Sequence, residues 1–237
     1  LGDVYKRQFI YRRDVILDTK SVETLKSTGL FDRLSARECT LLFNMIAISE
    51  KTYSRREIII HEGSEVQHLF VVKKGKVIGE KFHIEGETNL LNVYEEGDVM
   101  GLEAASSISK TSPLTYTADT EVTVIMIDIA SILSCPLKEI ILENIIHLLS
   151  GISIRQMYKI QVISKHGLRD RIMAHLLIMQ RKRNTEVFDI RMSQEQLAQY
   201  LCVNRSALSY ELNKMKKEGL IAVSYTHLRA HETRRHL

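Results

Sequence analysis

The chain has 237 residues, of which 44% are hydrophobic and 26% are charged, as expected for a globular protein of one large or two modest domains. Its three cysteines lie far apart and form no CxxC pair. The sequence therefore predicts neither a disulfide framework nor a zinc or iron–sulfur site, and a reducing cytoplasm fits best. No apolar run reaches the roughly 18 residues of a membrane helix, and no signal peptide is found.

The formal net charge of +4 overstates the basicity of the chain, because both ends look foreign. Residues 1–8 (LGDVYKRQ) and 224–237 (SYTHLRAHETRRHL) do not continue the neighbouring patterns and resemble translated adapter sequence. The first segment has a net charge of +1 and the second a net charge of +2, which leaves a net charge of +1 for the rest of the chain. Charge alone therefore gives no evidence for a nucleic-acid partner.

Two classes of pattern follow each other in the first half of the chain. Residues 14–54 are mostly helical in pattern, and Ser35 with Glu38 forms a capping box ahead of Leu41 and Leu42. From Glu57 to Asp128 the chain instead shows short β-branched runs separated by turn signals, and six of the eleven glycines fall between positions 63 and 101. Short strands at intervals of about 8–12 residues predict an antiparallel barrel or roll.

One long helix is predicted over about residues 138–165. Residues along it repeat at steps of three and four, as in the seam of a coiled coil: Ile146, Leu149, Ser153, Gln156, Ile160 and Ile163. The seam predicts a parallel dimer. Its two polar members, Ser153 and Gln156, either set the register or line a pocket beside the dimer axis.

Residues 192–220 read as two short helices joined by a tight turn. Ser193 and Gln196 form a second capping box, Asn204 is placed to cap the next helix at about Arg205–Lys217, and Gly219 is placed to end it. Leu208, Leu212 and Met215 share the apolar face of that helix. Its other face is rich in short polar and cationic side chains, which is typical of a recognition helix in a DNA major groove. The spacing alone fits an ordinary helical hairpin with a solvated face equally well.

In this order, several motifs resemble the CRP/FNR family of bacterial transcription regulators. They are Glu62-Gly63, the run LFVVKKGKV at 69–77, Glu96-Gly97-Asp98 with Gly101, the run LRDRI at 168–172, and the helix-turn-helix. The resemblance implies an α+β fold: an antiparallel β-roll sensor with flanking helices at 20–135, a long dimerisation helix at 136–165, and a winged helix-turn-helix at 166–223. The wing is expected to be truncated, because it should follow Ile221 and the foreign tail begins at Ser224.

The family further implies a homodimer that binds an inverted-repeat operator in double-stranded DNA, responds to a small-molecule effector and contacts RNA polymerase. Arg205 matches a family arginine that contacts a guanine, a role that suits a bidentate guanidinium. The residues placed at the DNA are Ser193, Gln194, Asn204, Arg205, Ser206, Ser209, Tyr210, Asn213 and Lys214.

The effector is not identified by the resemblance. Cyclic-nucleotide-binding members carry a phosphate-clamping arginine about ten residues after a Gly-Glu pair, whereas no arginine occurs here between Arg56 and Arg155, so cyclic AMP is not expected. Three scattered cysteines cannot hold a four-thiolate cluster. Cys202 is expected to be a small buried thiol, with a redox switch as the alternative. By family position, the effector-pocket residues are Gly101, Glu103, Ser106, Ser107, Tyr116, Gln156 and Tyr158.

Other classes of function stay open at this point. Haem could be bound through His61, His68, His83 or His147. A cyclic-nucleotide-binding module of a larger assembly would leave the helix-turn-helix unexplained. A cupin-like metal enzyme would use His61, Glu62, His68 and His83, but cupins need an HxH pair, and none occurs. No catalytic constellation or cofactor motif is found, so the sequence predicts a regulator and not an enzyme.

Overall fold

A computed structural model describes residues 17–82, 88–188, 190, 192–224 and 227–230. The described residues form two compact units. One contains the residues up to Gly79 together with Tyr94–Leu149, and the other contains Glu80–Val93 together with the residues from Ser150 onward. His83, the predicted turn at 85–87 and residues 1–8 lie outside the described residues.

The first unit begins with short helices, α1 (Thr19–Ser27) and α2 (Ala36–Phe43), and a 3₁₀ turn (Gly29–Phe31) between them. Both halves of the predicted Ser35–Glu38 capping box are present at the start of α2. The helical pattern ends earlier than predicted, because residues 48–53 form a strand that pairs with a strand at residues 122–128. Pairing between distant segments fixes this strand, and no local pattern in residues 48–53 predicts such a partner.

The predicted roll consists of two antiparallel four-stranded sheets. In the order along the chain, the strands are β1 (Ile48–Tyr53), β2 (Ile58–Ile60), β3 (His68–Lys74), β4 (Val77–Phe82), β5 (Thr88–Tyr94), β6 (Val99–Met100), β7 (Thr115–Ala118) and β8 (Val122–Asp128). The sheet orders are β1-β8-β3-β6 and β2-β7-β4-β5. Leu69, Val71 and Val72 of β3 are fully buried, as are Val124 and Ile125 of β8. These apolar residues of two paired strands form part of the core of the roll.

Two helices flank the end of the roll: α3 (Leu102–Ala105) follows β6, and α4 (Ile129–Ser134) follows β8. The long helix α5 (Lys138–Ile163) matches the prediction to within two residues. Buried Asn144 donates hydrogen bonds from Nδ2 to the Leu30 and Asp32 carbonyls, at 3.0 and 2.8 Å, and so anchors the first half of α5.

Four of the six residues of the predicted seam of α5 are exposed in the single chain. Ile146 and Ile160 are 60% and 62% exposed, and Ser153 and Gln156 are also exposed. The buried stripe of the helix is a different one, formed by Ile141, Ile145, Ile152, Lys159 and Val162. One face of α5 is thus buried, while Ile146 and Ile160 on the seam are mostly exposed and Leu149 and Ile163 are half-buried.

The chain ends with α6 (Leu168–Arg183), β9 (Val187–Phe188), α7 (Gln194–Tyr200), α8 (Arg205–Lys217), β10 (Ile221–Ser224) and β11 (His227–Ala230). The expectation of a truncated wing is corrected here, because β10 and β11 form an antiparallel hairpin in a three-stranded sheet with β9. β11 comes from the segment expected to be foreign. Since a strand edge offers backbone N–H and C=O groups to any extended segment, the pairing does not depend on particular side chains.

Candidate nucleic-acid interface and sensor site

Local hydrogen bonds set the start of α7. The Ser193 hydroxyl accepts a hydrogen bond from the Gln196 backbone N–H at 3.1 Å, and the Gln196 side chain accepts one from the Ser193 N–H at 2.9 Å. This is the predicted capping box, which satisfies two donors that the first turn of a helix leaves free. Ser193 and Gln194 are both exposed beside it.

The turn between α7 and α8 holds Cys202 in the left-handed region, at φ +54°. The N–H of Cys202 donates to the Gln199 carbonyl and that of Val203 donates to the Ala198 carbonyl, which closes α7 in a Schellman motif. The expectation of a buried thiol is wrong, because Cys202 is exposed. Its place in the motif, one residue beyond the helix end, directs the residue away from the apolar core.

The second helix occupies the predicted residues, Arg205–Lys217. Leu208, Leu212 and Met215 are buried, as predicted. Asn204 occupies the N-cap position, but its side chain makes no capping hydrogen bond and is exposed. Gly219 has φ +74°, a conformation that glycine adopts without strain, and ends α8 as predicted. The turn lets the N–H of Leu220 donate a hydrogen bond to the Met215 carbonyl at 3.0 Å.

The residues predicted to contact DNA form a polar face on α8. Arg205, Ser206 and Tyr210 are exposed near its start, and Asn213 and Lys214 are exposed one or two turns later; Ser209 is half-buried. Tyr210 is 72% exposed, a high value for a large aromatic side chain. The contacts of these side chains with bases and phosphates stay a prediction, because exposure alone does not show a contact with DNA.

Two arginines of α6 brace this pair of helices, and sequence reasoning did not identify their roles. Arg169 donates from Nε to Glu211 at 2.6 Å and binds both carboxylate oxygens of Glu218, at 2.7 and 3.1 Å. Arg171 donates from Nη1 to the Leu201 carbonyl at 3.2 Å, in the turn. Both belong to the LRDRI run that carries the family resemblance, but their partners lie 30 to 49 residues away in sequence.

The predicted effector-pocket residues of the roll lie around α3. Gly101 precedes the helix at φ +75° and Glu103 lies in its first turn, half-buried. Ser106 is exposed and Ser107 is half-buried, its hydroxyl donating to the Ala104 carbonyl. An added Cβ at Gly101 would lie 3.2 Å from Phe70, so the glycine is required by both its φ and its surroundings.

Tyr116 differs from the other pocket candidates, because it is only 2% exposed. Its hydroxyl is hydrogen-bonded to Tyr94 and accepts a hydrogen bond from the Gly101 backbone, and the two tyrosine rings lie 5.7 Å apart. Burial, with the charge of Glu103 adding to it, raises the pKa of Tyr116 to about 12. The phenol is therefore neutral and internally bonded, so it contributes to the core of the roll in this structure.

The other two pocket candidates, Gln156 and Tyr158, lie on the second half of α5, within the second unit, and both are exposed. The Lys182 ammonium lies 5.0 Å from the centroid of the Tyr158 ring. Among the described residues, no three His, Cys, Asp or Glu side chains lie close enough together to hold a metal ion. His61, His68 and His147 are therefore not part of such a group. No helix in the described part of the chain is long and apolar enough to cross a membrane.

Comparison with known proteins gives two family matches along the chain. The cyclic nucleotide-binding domain matches residues 50–136, and the Crp-like helix-turn-helix domain matches residues 170–233. No curated protein matches the sequence.

Several solved structures share the fold at low sequence identity. FixK2 from Bradyrhizobium japonicum is 16% identical, with a TM-score of 0.64 over 78% of this chain and 93% of its own. A CooA mutant from Carboxydothermus hydrogenoformans is 20% identical, with a TM-score of 0.65 over 84% and 88%. The c-di-GMP-responsive global regulator CLP from Xanthomonas campestris is 18% identical, with a TM-score of 0.65 over 82% and 98%.

CLP is named as a global regulator of gene expression. The two family matches lie in the same order along the chain as the roll and the helix-turn-helix described above. With a cyclic nucleotide-binding-like roll followed by a Crp-like helix-turn-helix, the chain belongs to the CRP/FNR family of bacterial transcription regulators.

Proposed function

We propose that this chain is a signal-responsive homodimer of the cytoplasm that binds an inverted-repeat operator and acts on transcription through RNA polymerase. The observation that carries the proposal is the polar face of α8, where Arg205, Ser206, Tyr210, Asn213 and Lys214 are exposed together above a buried apolar face. Arg205 reads a guanine in the major groove and the other side chains hold neighbouring bases or phosphates.

Dimer formation is supported by the exposed seam of α5. Ile146 and Ile160 are mostly exposed in the protomer, and they lie on the stripe that also contains Leu149 and Ile163. A second copy of the same helix would cover this apolar stripe and would place two recognition helices for two half-sites. The polar residues Ser153 and Gln156 interrupt the stripe and would fix its register.

The effector of the roll is not cyclic AMP in this proposal. The sequence has no arginine between Arg56 and Arg155 to clamp a cyclic phosphate, and Tyr116 is buried among the side chains of the roll. The effector would use the more accessible candidates, Glu103, Ser106 and Ser107, or would require Tyr116 to move. Gln156 and Tyr158 stay effector candidates on family position alone.

Operator selection from random duplex DNA tests the proposal directly. We expect a selected site with two-fold symmetry and half-sites about one helical turn apart, bound by two chains in a mass measurement of the complex. A site without symmetry, or binding that does not depend on sequence, would contradict the proposed mode.

The dimer is tested separately with Ile160→Asp, which places a charge on the seam, and with Lys138→Asp as a matched change at an exposed position at the start of the same helix. In light scattering, Ile160→Asp should shift the protein to a monomer and reduce operator affinity, whereas Lys138→Asp should leave the mass unchanged. An Ile160→Asp protein that stays dimeric would assign the dimer contact to another surface.

A further inference from the structure

The second half of α5 buries a lysine that the proposed DNA contacts do not use. Lys159 is only 9% exposed, and it is the one buried lysine in the described part of the chain. Its Nζ donates a hydrogen bond to the Leu90 carbonyl of β5 at 2.5 Å. The same ammonium lies 4.4 Å from the centroid of the Tyr200 ring, at the end of α7. One charged group thus contacts a strand of the roll and the first helix of the helix-turn-helix.

The other side of this contact is formed by His175 of α6, which is 6% exposed. Its ring packs against the Tyr200 ring at a centroid distance of 5.0 Å. Its Nε2 has no hydrogen-bond partner among the described residues. Tyr200 therefore has a cation and a polar ring packed against it, and its position depends on both.

Such an arrangement is costly for stability alone. Burial lowers the pKa of Lys159 to about 8, while nearby Cys202 acts in the opposite direction. Burial, together with the charges of Lys159 and Lys182, also lowers the pKa of His175 to about 4. A methionine at position 159 would fill the same space without a desolvated charge, so packing does not explain a lysine there.

We propose that Lys159 is a positioning residue that couples β5 of the roll to the DNA-binding helices. A shift of β5 that withdraws the Leu90 carbonyl removes the hydrogen-bond acceptor of a buried ammonium. Because the Tyr200 ring alone compensates that loss only in part, the ammonium and the end of α7 must change position together. The inference rests on the proposed function, since it assumes that α7 and α8 bind DNA.

Coupling between two sites is reciprocal, which allows a test without knowledge of the effector. Hydrogen exchange is measured on the full protein with and without its selected operator. In the wild type, the operator should slow exchange in α7 and α8, and it should also change exchange in β5 by at least about fivefold. In Lys159→Met, which keeps an unbranched side chain one atom shorter and removes the charge, protection of α7 and α8 should persist while the response of β5 is lost.

Three further variants separate coupling from simple packing. Lys159→Arg retains a cation that can donate to the carbonyl and lie over the ring, so it should restore the β5 response. Lys138→Met, at an exposed position of the same helix, should behave as the wild type. If Lys159→Met fails to fold, Tyr200→Leu should abolish the β5 response in the same way.

The outcomes distinguish this inference from the proposed function. A wild-type protein whose α7 and α8 are not protected by any selected DNA would refute the proposed function. A protein that binds its operator with no change in β5, or a Lys159→Met variant that keeps the wild-type response, would refute the coupling role of Lys159.

Discussion

The recognition helix and the roll present their predicted site residues in opposite ways. On α8 these residues are at the surface, and Tyr210 is 72% exposed. In the roll, Tyr116 and Gly101 are buried, and an added Cβ at Gly79 would lie 3.3 to 3.7 Å from Tyr94, Leu114 and Tyr116. The proposed DNA contacts thus need only side chains that α8 already displays. A ligand that contacts Tyr116 would need the internal contacts of the roll to open, whereas Ser106 is already exposed.

The roll and the second unit also differ in how their buried polar groups are hydrogen-bonded. The largest effect that we expect is a loss of folding stability at acid pH, which tests this difference. The roll satisfies the Tyr116 hydroxyl, whereas Nε2 of His175 in the second unit has no described partner. The pKa of His175 is about 4 in the folded state against an ordinary 6.5, so folding favours the neutral imidazole. Its contribution to stability is complete above pH 6.5 and is lost as the pH falls toward 4, by an amount on the order of 3 kcal/mol.

Urea unfolding between pH 7 and 4 measures this loss. His175→Phe should flatten the profile between pH 6.5 and 4, because it removes the buried base and keeps a ring against Tyr200. His166→Gln, at an exposed position, serves as the control. An unaltered slope in His175→Phe would show that the acid sensitivity arises elsewhere.

The next largest effect is expected at Arg205 of α8, in the proposed contact with DNA. Arg205→Ala should weaken binding to the selected operator by about 1–3 kcal/mol and relax the preference for one base pair, since a bidentate contact to guanine is lost. Competition binding against single-base operator variants measures both quantities. Arg37→Ala, an exposed arginine of α2, is the matched control. Equal affinity and preference in Arg205→Ala and the wild type would remove this arginine from base reading.

A smaller effect is expected from Tyr116→Phe in the roll. The change removes a buried hydroxyl and leaves the Tyr94 hydroxyl and the Gly101 N–H without that partner, which should cost about 1–2 kcal/mol in the free energy of unfolding. Operator affinity should stay within a factor of two or so of the wild type, since the α8 side chains are untouched. A variant of full stability would mean that the tyrosine pair is not a structural element of the roll.

The smallest effect is expected in the turn between α7 and α8. Cys202 adopts φ +54°, a conformation that costs a non-glycine residue about 1–2 kcal/mol. Because glycine also gains freedom in the unfolded chain, Cys202→Gly should stabilise the protein by only about 0.5–1 kcal/mol. Thermal unfolding measures this, with Cys202→Ser as a control that keeps the strain. A destabilised Cys202→Gly would show that the thiol itself contributes to the fold.

Much of the fold follows from patterns within a few residues of each other. The capping boxes at Ser35 and Ser193 were predicted and are present, and α8 begins and ends at the predicted residues. Strand β1 was missed, because its pairing with β8 is not visible in its own sequence. The exposure of Cys202 was also missed, since the left-handed residue of a Schellman turn is usually glycine and a cysteine gives no such signal.

Sequence by itself determined the family of the protein, the order of the roll and the helix-turn-helix, and which face of α8 is polar and largely exposed, because capping, periodicity and turn chemistry act over one or two helical turns. Tertiary structure alone decided which groups brace and connect these parts. Arg169 meets Glu218 across 49 residues, and Lys159 meets the Leu90 carbonyl across 69. Contacts of this kind exist only after distant segments have packed, and the Lys159 contact gains strength because it is buried.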